Sequence, residues 1–231
     1  MGKGEESTLM SLGSSDSARR NILARIRKAQ GRWGTAADSE AAAVQSYLDA
    51  HPRGPRRPIE GDLFARFRAG AESMQCSVEE VHALASVPRA AAEYLRARQL
   101  ASSGCITDDL AALDWVAAGL DLQARPAVDA DGIGVTGCFA GIAETGTLML
   151  VSGPGRPGSA SLLPETHIAV VSRSRVVPYM EDAWDLLRKE MGEPPRAVSF
   201  ISGPSRTGDI EQTIVVGAHG PYRVHIIVVE G

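Results

Sequence analysis

The sequence predicts an α/β protein whose strands form a largely parallel sheet. Short apolar runs alternate with amphipathic helical segments along the 231-residue chain, which is the pattern of βα units. In the C-terminal half these runs are almost continuously apolar, as expected for strands covered on both faces. They span residues 147–151, 167–171, 197–201, 213–216 and 224–229.

An N-terminal helical arm is predicted to precede the α/β domain. Residues 1–15 are expected to be disordered, and Asp16 or Ser17 can cap a helix with one apolar stripe. A second helix is predicted over residues 40–49. Residues 50–58 contain three prolines and one glycine, which indicates a stiff linker. We therefore predict an arm over residues 1–58 and an α/β domain over residues 59–231.

Helices of the α/β domain are predicted from apolar spacing and from their start and stop residues. Met180, Trp184, Leu187 and Met191 repeat at 4-3-4 spacing, and Gly192 ends that helix. Further helices are expected over residues 64–74, 86–99 and 107–119, the last capped by Thr107 and stopped by Gly119. Short strands are expected over residues 76–81 and 104–106.

Composition excludes several classes of function. The formal net charge of −4 gives no indication of nucleic-acid or anionic-membrane binding. The three cysteines lie about thirty residues apart, a spacing that favours neither a zinc site nor an iron–sulfur cluster in this chain. No run approaches the ~18 apolar residues of a membrane span. We therefore expect a soluble, cytoplasmic protein without a cofactor or metal of its own.

The first polar cluster lies between two strand-like runs, residues 197–201 and 213–216. It contains Ser205, Arg206, Thr207 and Asp209, and it is followed by His219 beside a Gly-Pro pair. The planar guanidinium of arginine matches a carboxylate or phosphate, and histidine can carry a proton at neutral pH. These residues predict a ligand loop, whereas a capped turn with an Arg206–Asp209 or Arg206–Glu211 salt bridge is the alternative.

The second polar cluster is the segment Glu144-Thr145-Gly146-Thr147, directly before a buried strand. A carboxylate near apolar strand ends has its pKa raised by desolvation, which suits a general base or a nucleophile. We therefore predict Glu144 and His219 as catalytic residues. Thr145, Gly146 and Thr147 join Ser205, Arg206, Thr207 and Asp209 as predicted ligand contacts. A glutamate that only stabilises a turn is the alternative.

Two glycine-rich segments match nucleotide motifs poorly. Residues 153–158 fit G-x-G-x-x-G, but two prolines remove amide donors, so a mobile loop is predicted there. Residues 203–208 have the glycine spacing of a P-loop, but Asp209 stands where the phosphate-binding lysine is required. His167, at the start of an apolar run, is predicted to be a core histidine.

Four motifs in order resemble a known family. They are Ile142–Thr147, Leu162–Pro164 with His167 and Ile168, Ser202–Thr207 with Asp209–Glu211, and His219–Pro221. Together they resemble the lactate utilization protein C family, whose shared unit is the LUD domain. The resemblance covers residue 64 to the C-terminus. Two positions depart from the family's pattern: the family usually has alanine at Gly208 and often has alanine at Gly141.

The resemblance implies an open α/β fold like that of the sugar-phosphate isomerase and CoA-transferase superfamily. It also implies a component of L-lactate oxidation to pyruvate that works with two partner proteins carrying iron–sulfur clusters. The catalytic role of this component does not follow from the resemblance. A stand-alone CoA-transferase-like or phosphoester-binding enzyme, with Glu144 as nucleophile, and a non-catalytic assembly subunit are the alternatives.

Overall fold

A computed structural model describes residues 12–32, 37–207 and 215–231 of the chain. It divides into two compact units, one that ends at Pro55 and one from Arg56 to Gly231. The division falls inside the proline-rich segment 50–58, in which residues 51–58 have no regular secondary structure. Proline lacks the backbone donor that helices and sheets require, which explains the irregular backbone here.

The first unit contains two helices, α1 (Leu12–Ala29) and α2 (Asp38–Ala50). Helix α1 begins four residues before Asp16, so the prediction that Asp16 or Ser17 caps it was wrong. The stripe residues Ile22 and Ile26 are 58% and 45% exposed, so the described part of this unit leaves the stripe open to solvent. Residues 1–11 lie outside the described residues.

The second unit is built on a six-stranded sheet in which every strand pairing is parallel. Its strand order is β1-β12-β7-β4-β2-β3. The strands are β1 (Ser77–Val81), β2 (Ser103–Ile106), β3 (Asp121–Ala124), β4 (Ile133–Gly137), β7 (Thr166–Ser172) and β12 (Arg223–Val229). The predicted largely parallel sheet is confirmed.

A second sheet has the order β8-β5-β6-β9. Its strands are β5 (Ala140–Ile142), β6 (Thr147–Val151), β8 (Val176–Val177) and β9 (Val198–Ile201). Strand β6 runs antiparallel to both β5 and β9. Strands β10 (Arg206–Thr207) and β11 (Val215–Val216) form a small antiparallel pair. Two residues of the predicted strand 213–216 thus form β11, and residues 213–214 lie outside the described residues.

Helices cover both faces of the six-stranded sheet, as predicted. Helix α4 (Val87–Ala97) packs on one face with β-strand residues such as Ile168 and Ile227. Helix α3 (Leu63–Ser73) packs on the other face through Phe67. Helix α7 (Met180–Met191) buries Leu187 against the second sheet and has the predicted bounds.

The helix predicted over residues 107–119 was wrong in length. Only one turn forms, α5 (Asp108–Ala111). The Thr107 hydroxyl does not cap it but accepts a hydrogen bond from Gly137 N at 3.2 Å. The chain then turns so that Trp115 is buried and its indole N–H donates to Leu110 O at 2.9 Å. A one-turn helix, α6 (Ser159–Leu162), also lies between β6 and β7.

Because all six strands run in the same direction, the parallel sheet has one edge where the strands begin and one where they end. We call the edge where the six strands begin the amino edge and the edge where they end the carboxyl edge. From β2 the chain continues to β3, at one end of the strand order. From β4 it passes through the second sheet and returns to β7, on the other side of β4. The crevice between the carboxyl ends of β2 and β4 is therefore the switch point, where α/β sheets usually bind ligands.

Candidate functional site

The Glu144–Thr147 segment is the turn between β5 and β6. Gly146 has φ +67°, and a Cβ at this position would lie 2.0 Å from Ala71 N in α3. The glycine therefore permits a backbone-to-backbone contact with α3. The Glu144 amide donates to Pro178 O at 3.0 Å. The Glu144 side chain is half-buried and has no hydrogen bond or ion pair with the described residues.

Three hydroxyl groups form a chain beside this turn. Thr145 Oγ1 and Thr147 Oγ1 lie 2.7 Å apart, and Thr147 Oγ1 lies 2.6 Å from Ser202 Oγ. Thr147 is buried, whereas Thr145 is exposed. The hydrogen bonds therefore connect the two predicted motifs and extend from the interior to the surface.

The Ser202–Thr207 segment is attached to the C-terminal end of α3. Arg206 Nη2 donates to Met74 O at 3.0 Å. Gly203 has φ +94°, and a Cβ there would lie 2.2 Å from the same carbonyl oxygen. Among the described residues, no ion pair neutralises the Arg206 guanidinium. Asp209 and Glu211, its predicted salt-bridge partners, lie outside the described residues.

His219 lies in an exposed turn that packs against Ser205. Ser205 N donates to Pro221 O at 2.9 Å, and Gly217 N donates to Ser205 O at 2.8 Å. A Cβ on Gly220 would lie 3.3 Å from Ser205 Cβ. The His219 turn and the Ser202–Thr207 segment are therefore neighbours in space.

All three predicted segments gather towards the amino edge of the parallel sheet. The His219 turn directly precedes β12, and the residue that begins β1, Ser77, follows the Met74 carbonyl that binds Arg206. Within the described residues, no hydrogen bond or ion pair joins Glu144, Arg206 and His219. The Glu144–Thr147 and Ser202–Thr207 segments meet through the hydroxyl groups of Thr147 and Ser202, and the His219 turn meets the second segment through backbone hydrogen bonds. These contacts lie at the edge opposite to the switch point.

A pocket that we call the arginine pocket adjoins this region, with a volume of about 510 Å³. It lies at the start of β1 and β12. Its lining includes Pro204, which belongs to the Ser202–Thr207 segment, together with Gln75, Cys76, Ser77, Tyr94, Arg98, Tyr222 and Arg223. The described lining contains two arginines and no acidic residue, so it attracts an anion.

Both arginines of this pocket have weak partners among the described residues. Arg98 stacks its guanidinium over Tyr94 at 4.1 Å from the ring centroid. Arg223 Nη1 is buried without a hydrogen bond, and its nearest carboxylate oxygen, in Glu165, is 3.9 Å away. Buried donors are normally satisfied, so the arrangement favours a ligand that accepts hydrogen bonds.

Two further groups show the electrostatics of the arginine pocket. Burial raises the pKa of the Cys76 thiol to about 11, although nearby Arg206 opposes the increase, so the thiol is protonated at neutral pH. His225 lies behind the pocket, stacked on Tyr94 at 3.8 Å and hydrogen-bonded through Nδ1 to Ser77 Oγ at 2.9 Å. Burial, and then Arg98, lower its pKa to about 4.

The switch point carries a second, smaller cavity, which we call the switch-point cavity. Thr107 follows β2, and Thr136 and Gly137 end β4. These residues form its wall with Leu150, Val151, Ser152, Arg156, Pro157, Gly158, Ser161, Ala197 and Ser199. Its volume is about 30 Å³, which is room for roughly two water-sized groups.

The glycine-rich segment 153–158 closes this cavity. It was predicted to be a mobile loop, but Gly155 and Arg156 attach it to α5. Gly153 and Arg156 pair through reciprocal backbone hydrogen bonds, and Asp108 N donates to Gly155 O at 2.9 Å. Arg156 Nε lies 3.6 Å from Asp109 Oδ2. The segment therefore positions one arginine at the carboxyl edge of the sheet.

His167 is a core residue, as predicted, and it supports the cavity wall. It is fully buried in β7, and its Nε2 lies 2.8 Å from Thr136 Oγ1. Its Nδ1 has no partner. Burial lowers its pKa to about 4, so the ring is neutral at pH 7.

The sequence contains one signal for the residues of the switch-point cavity, which were not among the predicted site residues. Thr107 and Thr136 directly follow short apolar runs, and polar residues at the carboxyl ends of parallel strands often contact ligands. No local signal distinguishes Arg98 and Arg223 from the other arginines of the chain. Tertiary folding alone brings these two side chains to one pocket.

Two kinds of feature are absent from the described part of the chain. No group of three or more histidine, cysteine or acidic side chains there is arranged to hold a metal ion. No described helix is long and apolar enough to cross a membrane.

Comparisons with known proteins agree with this architecture. The fold and its two polar edges define the chain as an α/β protein with a parallel sheet, and a crystal structure of a DUF162 family protein from Deinococcus radiodurans has a similar fold. That match has a TM-score of 0.54 at 24% identity and covers 74% of this chain and 99% of the other. The LUD domain family matches residues 62–229. The chain belongs to the LUD domain family.

Several curated relatives are also similar. Lactate utilization protein C of Bacillus licheniformis is 36% identical over 143 residues, which is 58% of this chain and 59% of that protein. The Halalkalibacterium halodurans protein of the same name is 46% identical over 101 residues, which is 42% of this chain and 44% of that protein. The alignments thus span between about two fifths and three fifths of these relatives' length.

Proposed function

We propose that the chain acts in lactate utilization, as a component of L-lactate oxidation to pyruvate that binds a small anionic ligand at its amino edge. The names of the relatives and the family membership support the lactate role. The arginine pocket is the observation that supports anion binding. It adjoins Arg206, which belongs to one of the motifs shared with the family.

Arg206 would bind the anion together with donors from the pocket wall. One guanidinium nitrogen donates to Met74 O, which fixes the position of the side chain and leaves other N–H groups for a ligand. A planar fork of this kind binds a carboxylate or phosphate through two parallel hydrogen bonds. The hydroxyl groups of Ser205 and Thr207 would complete the contacts with the anion, and Asp209 would accept a hydrogen bond from a hydroxyl group of the ligand.

Glu144 and His219 would move protons in this proposal. The Glu144 carboxylate is half-buried and unpaired within the described residues, and it adjoins the hydroxyl chain of Thr145 and Thr147. Gly146 would contribute its backbone. Because His219 is exposed, it would exchange protons with solvent. Neither side chain contacts Arg206 within the described residues, so a bound ligand would have to connect them.

Oxidation of lactate to pyruvate releases two electrons and two protons, and the electrons require an acceptor. We propose that partner proteins with iron–sulfur clusters accept them, because the family resemblance implies such partners. The chain would then contribute ligand binding and proton transfer. A role without catalysis, as an assembly subunit for these partners, is compatible with the exposed stripe at Ile22 and Ile26.

The size and charge of the arginine pocket favour a second candidate, a stand-alone enzyme of the CoA-transferase-like or phosphoester-binding class. A volume of about 510 Å³ falls in the range of pockets for drug-sized ligands, and two arginines match a phosphate. Glu144 would then be a nucleophile. Mass spectrometry after incubation with an acyl-CoA would detect a covalent adduct on Glu144, and a Glu144→Gln variant would lack it.

Growth on L-lactate tests the lactate role. A strain in which the gene for this protein is deleted is expected not to grow on L-lactate as sole carbon source. The wild-type gene should restore growth, whereas Arg206→Ala should not, because the anion would lose its bidentate partner. Arg96→Ala, which removes an exposed charge from α4, is the control and should grow. Normal growth of the deletion strain would contradict the lactate role, and normal growth of Arg206→Ala would contradict the proposed site.

A further inference from the structure

We propose that the N-terminal arm joins two copies of this chain, with helix α1 of each copy packed antiparallel against helix α2 of the other. The arm is the unit that ends at Pro55. It lies outside the LUD domain match, which begins at residue 62, and it contains no residue of either candidate site. The proposal therefore goes beyond the function proposed above and does not depend on it.

Both helices of the arm have apolar residues that are open to solvent in the described part of the unit. Ile22 and Ile26 lie one turn apart on α1 and are 58% and 45% exposed. On α2, Val44, Tyr47 and Leu48 recur at helical spacing and are 59%, 67% and 54% exposed. Single exposed apolar residues are common, but an apolar stripe along a helix face is the feature through which helices pack.

Helix α2 depends on a partner for its stability. It has 13 residues, and none of them is buried. An isolated helix of this length is only marginally stable in water, because most of the stability of protein helices comes from packing of an apolar face. The hydrogen bond from Gln45 to Asp49 within the helix adds little to this balance. A surface that covers Val44, Tyr47 and Leu48 would supply the missing stabilisation.

Opposite charges make α1 and α2 fit each other. Helix α1 has a single acidic residue, Asp16. Its five basic residues are Arg19, Arg20, Arg25, Arg27 and Lys28. Helix α2 has no basic residue, and its three acidic residues are Asp38, Glu40 and Asp49. Two α1 helices would therefore repel each other, as would two α2 helices, whereas α1 attracts α2.

The charged ends of the helices select the antiparallel orientation. The last turn of α1 carries Arg27 and Lys28, and the first turn of α2 carries Asp38 and Glu40. In an antiparallel pair these two turns lie side by side. Because both helices rise by about 1.5 Å per residue, the same orientation places Ile22 level with the apolar stripe of α2. Charge and apolar contacts thus favour one arrangement.

The described arm favours a second copy over a contact of α2 with its own α1. If α2 were folded onto the α1 of the same chain, Ile22 and Tyr47 would be covered, whereas both are more than half exposed. The ion pair from Arg32 to Glu40, at 2.6 Å, lies at the connection between the helices rather than along the stripes. Exchange of helices between two identical chains covers both stripes of each copy around one two-fold axis, so the assembly closes as a dimer.

Sedimentation equilibrium of the full chain tests the proposal. The wild type should form a concentration-dependent dimer with twice the mass of one chain. Two double variants each reverse the charge of one helix end: Arg27→Glu with Lys28→Glu on α1, and Asp38→Lys with Glu40→Lys on α2. Each variant alone brings like charges together and should weaken self-association by at least about tenfold. An equimolar mixture of the two should restore the dimer, because opposite charges then face each other again.

The matched control is Arg188→Glu with Lys189→Glu, which makes the same change in the last turn of α7 and should dimerise like the wild type. A wild type that stays monomeric at every concentration would overturn the proposal, whether or not it binds vesicles of anionic lipid. A dimer that persists in both charge-reversed variants would overturn it as well, because another surface would then join the copies. So would a mixture that fails to restore the dimer, whereas restoration shows that both variants fold.

Discussion

Replacing Gly146 with alanine is expected to destabilise the protein by about 3 kcal/mol or more, because a side chain here meets two separate obstacles. Gly146 has φ +67°, which costs an L-residue about 1–2 kcal/mol. Its Cβ would also lie 2.0 Å from Ala71 N and 2.2 Å from Gly70 C. Because both atoms belong to the backbone of α3, the turn between β5 and β6 would have to move away from the helix.

Gly119→Ala provides the matched control. Gly119 has φ +82°, but nothing lies within 4 Å of a Cβ there. It should therefore show only the cost of the backbone conformation, about 1–2 kcal/mol. Urea unfolding of both variants measures the difference. Equal losses of stability in the two variants would contradict a tight contact between Gly146 and α3.

Acidification from pH 7 to pH 5 is expected to remove about 2 kcal/mol of stability through His167 alone. Burial lowers the pKa of His167 from 6.5 to about 4 in the folded protein. The unfolded chain therefore binds a proton in the range between these values, whereas the folded chain does not. Stability is complete above about pH 6.5 and falls as the pH falls towards 4, because protonation favours the unfolded state.

His167→Asn separates this effect from that of other titrating groups. Asparagine has no charge to gain, and its amide can still reach a hydroxyl group. The variant is expected to be less stable at pH 7 but to lose about 2 kcal/mol less than the wild type between pH 7 and pH 5. His225, whose pKa burial also lowers to about 4, titrates in both proteins and cancels in the comparison. An identical pH dependence in the two proteins would contradict a buried, neutral His167.

Helix α7 shows what local sequence can establish, and the second sheet shows where it fails. Met180, Trp184, Leu187 and Met191 follow helical spacing and Gly192 ends the helix, so its bounds were predictable. The runs that became β6 and β9 were predicted as strands but not as an antiparallel second sheet. Their apolar composition is the same as that of the parallel strands, and strand pairing depends on contacts between distant parts of the chain.

In the candidate sites, too, the local sequence identifies residues but not their position in the fold. The motif residues Thr147, Ser202 and Arg206 could be selected from the sequence because they lie in short, distinctive segments. Their position at the amino edge could not, since it depends on which strands are neighbours. Arg98 and Arg223 are 125 positions apart in the chain and meet only in the folded protein, so no local pattern predicts the arginine pocket.

The most direct test of the central claim, that the arginine pocket binds an anion, is calorimetric titration of the full chain with inorganic pyrophosphate. We predict saturable binding that weakens by at least about tenfold in Arg98→Ala and in Arg223→Ala. Arg96→Ala, which removes the same charge two residues before Arg98 but outside the pocket lining, should bind like the wild type. No saturable binding to the wild type, or equal weakening in Arg96→Ala, would contradict the claim.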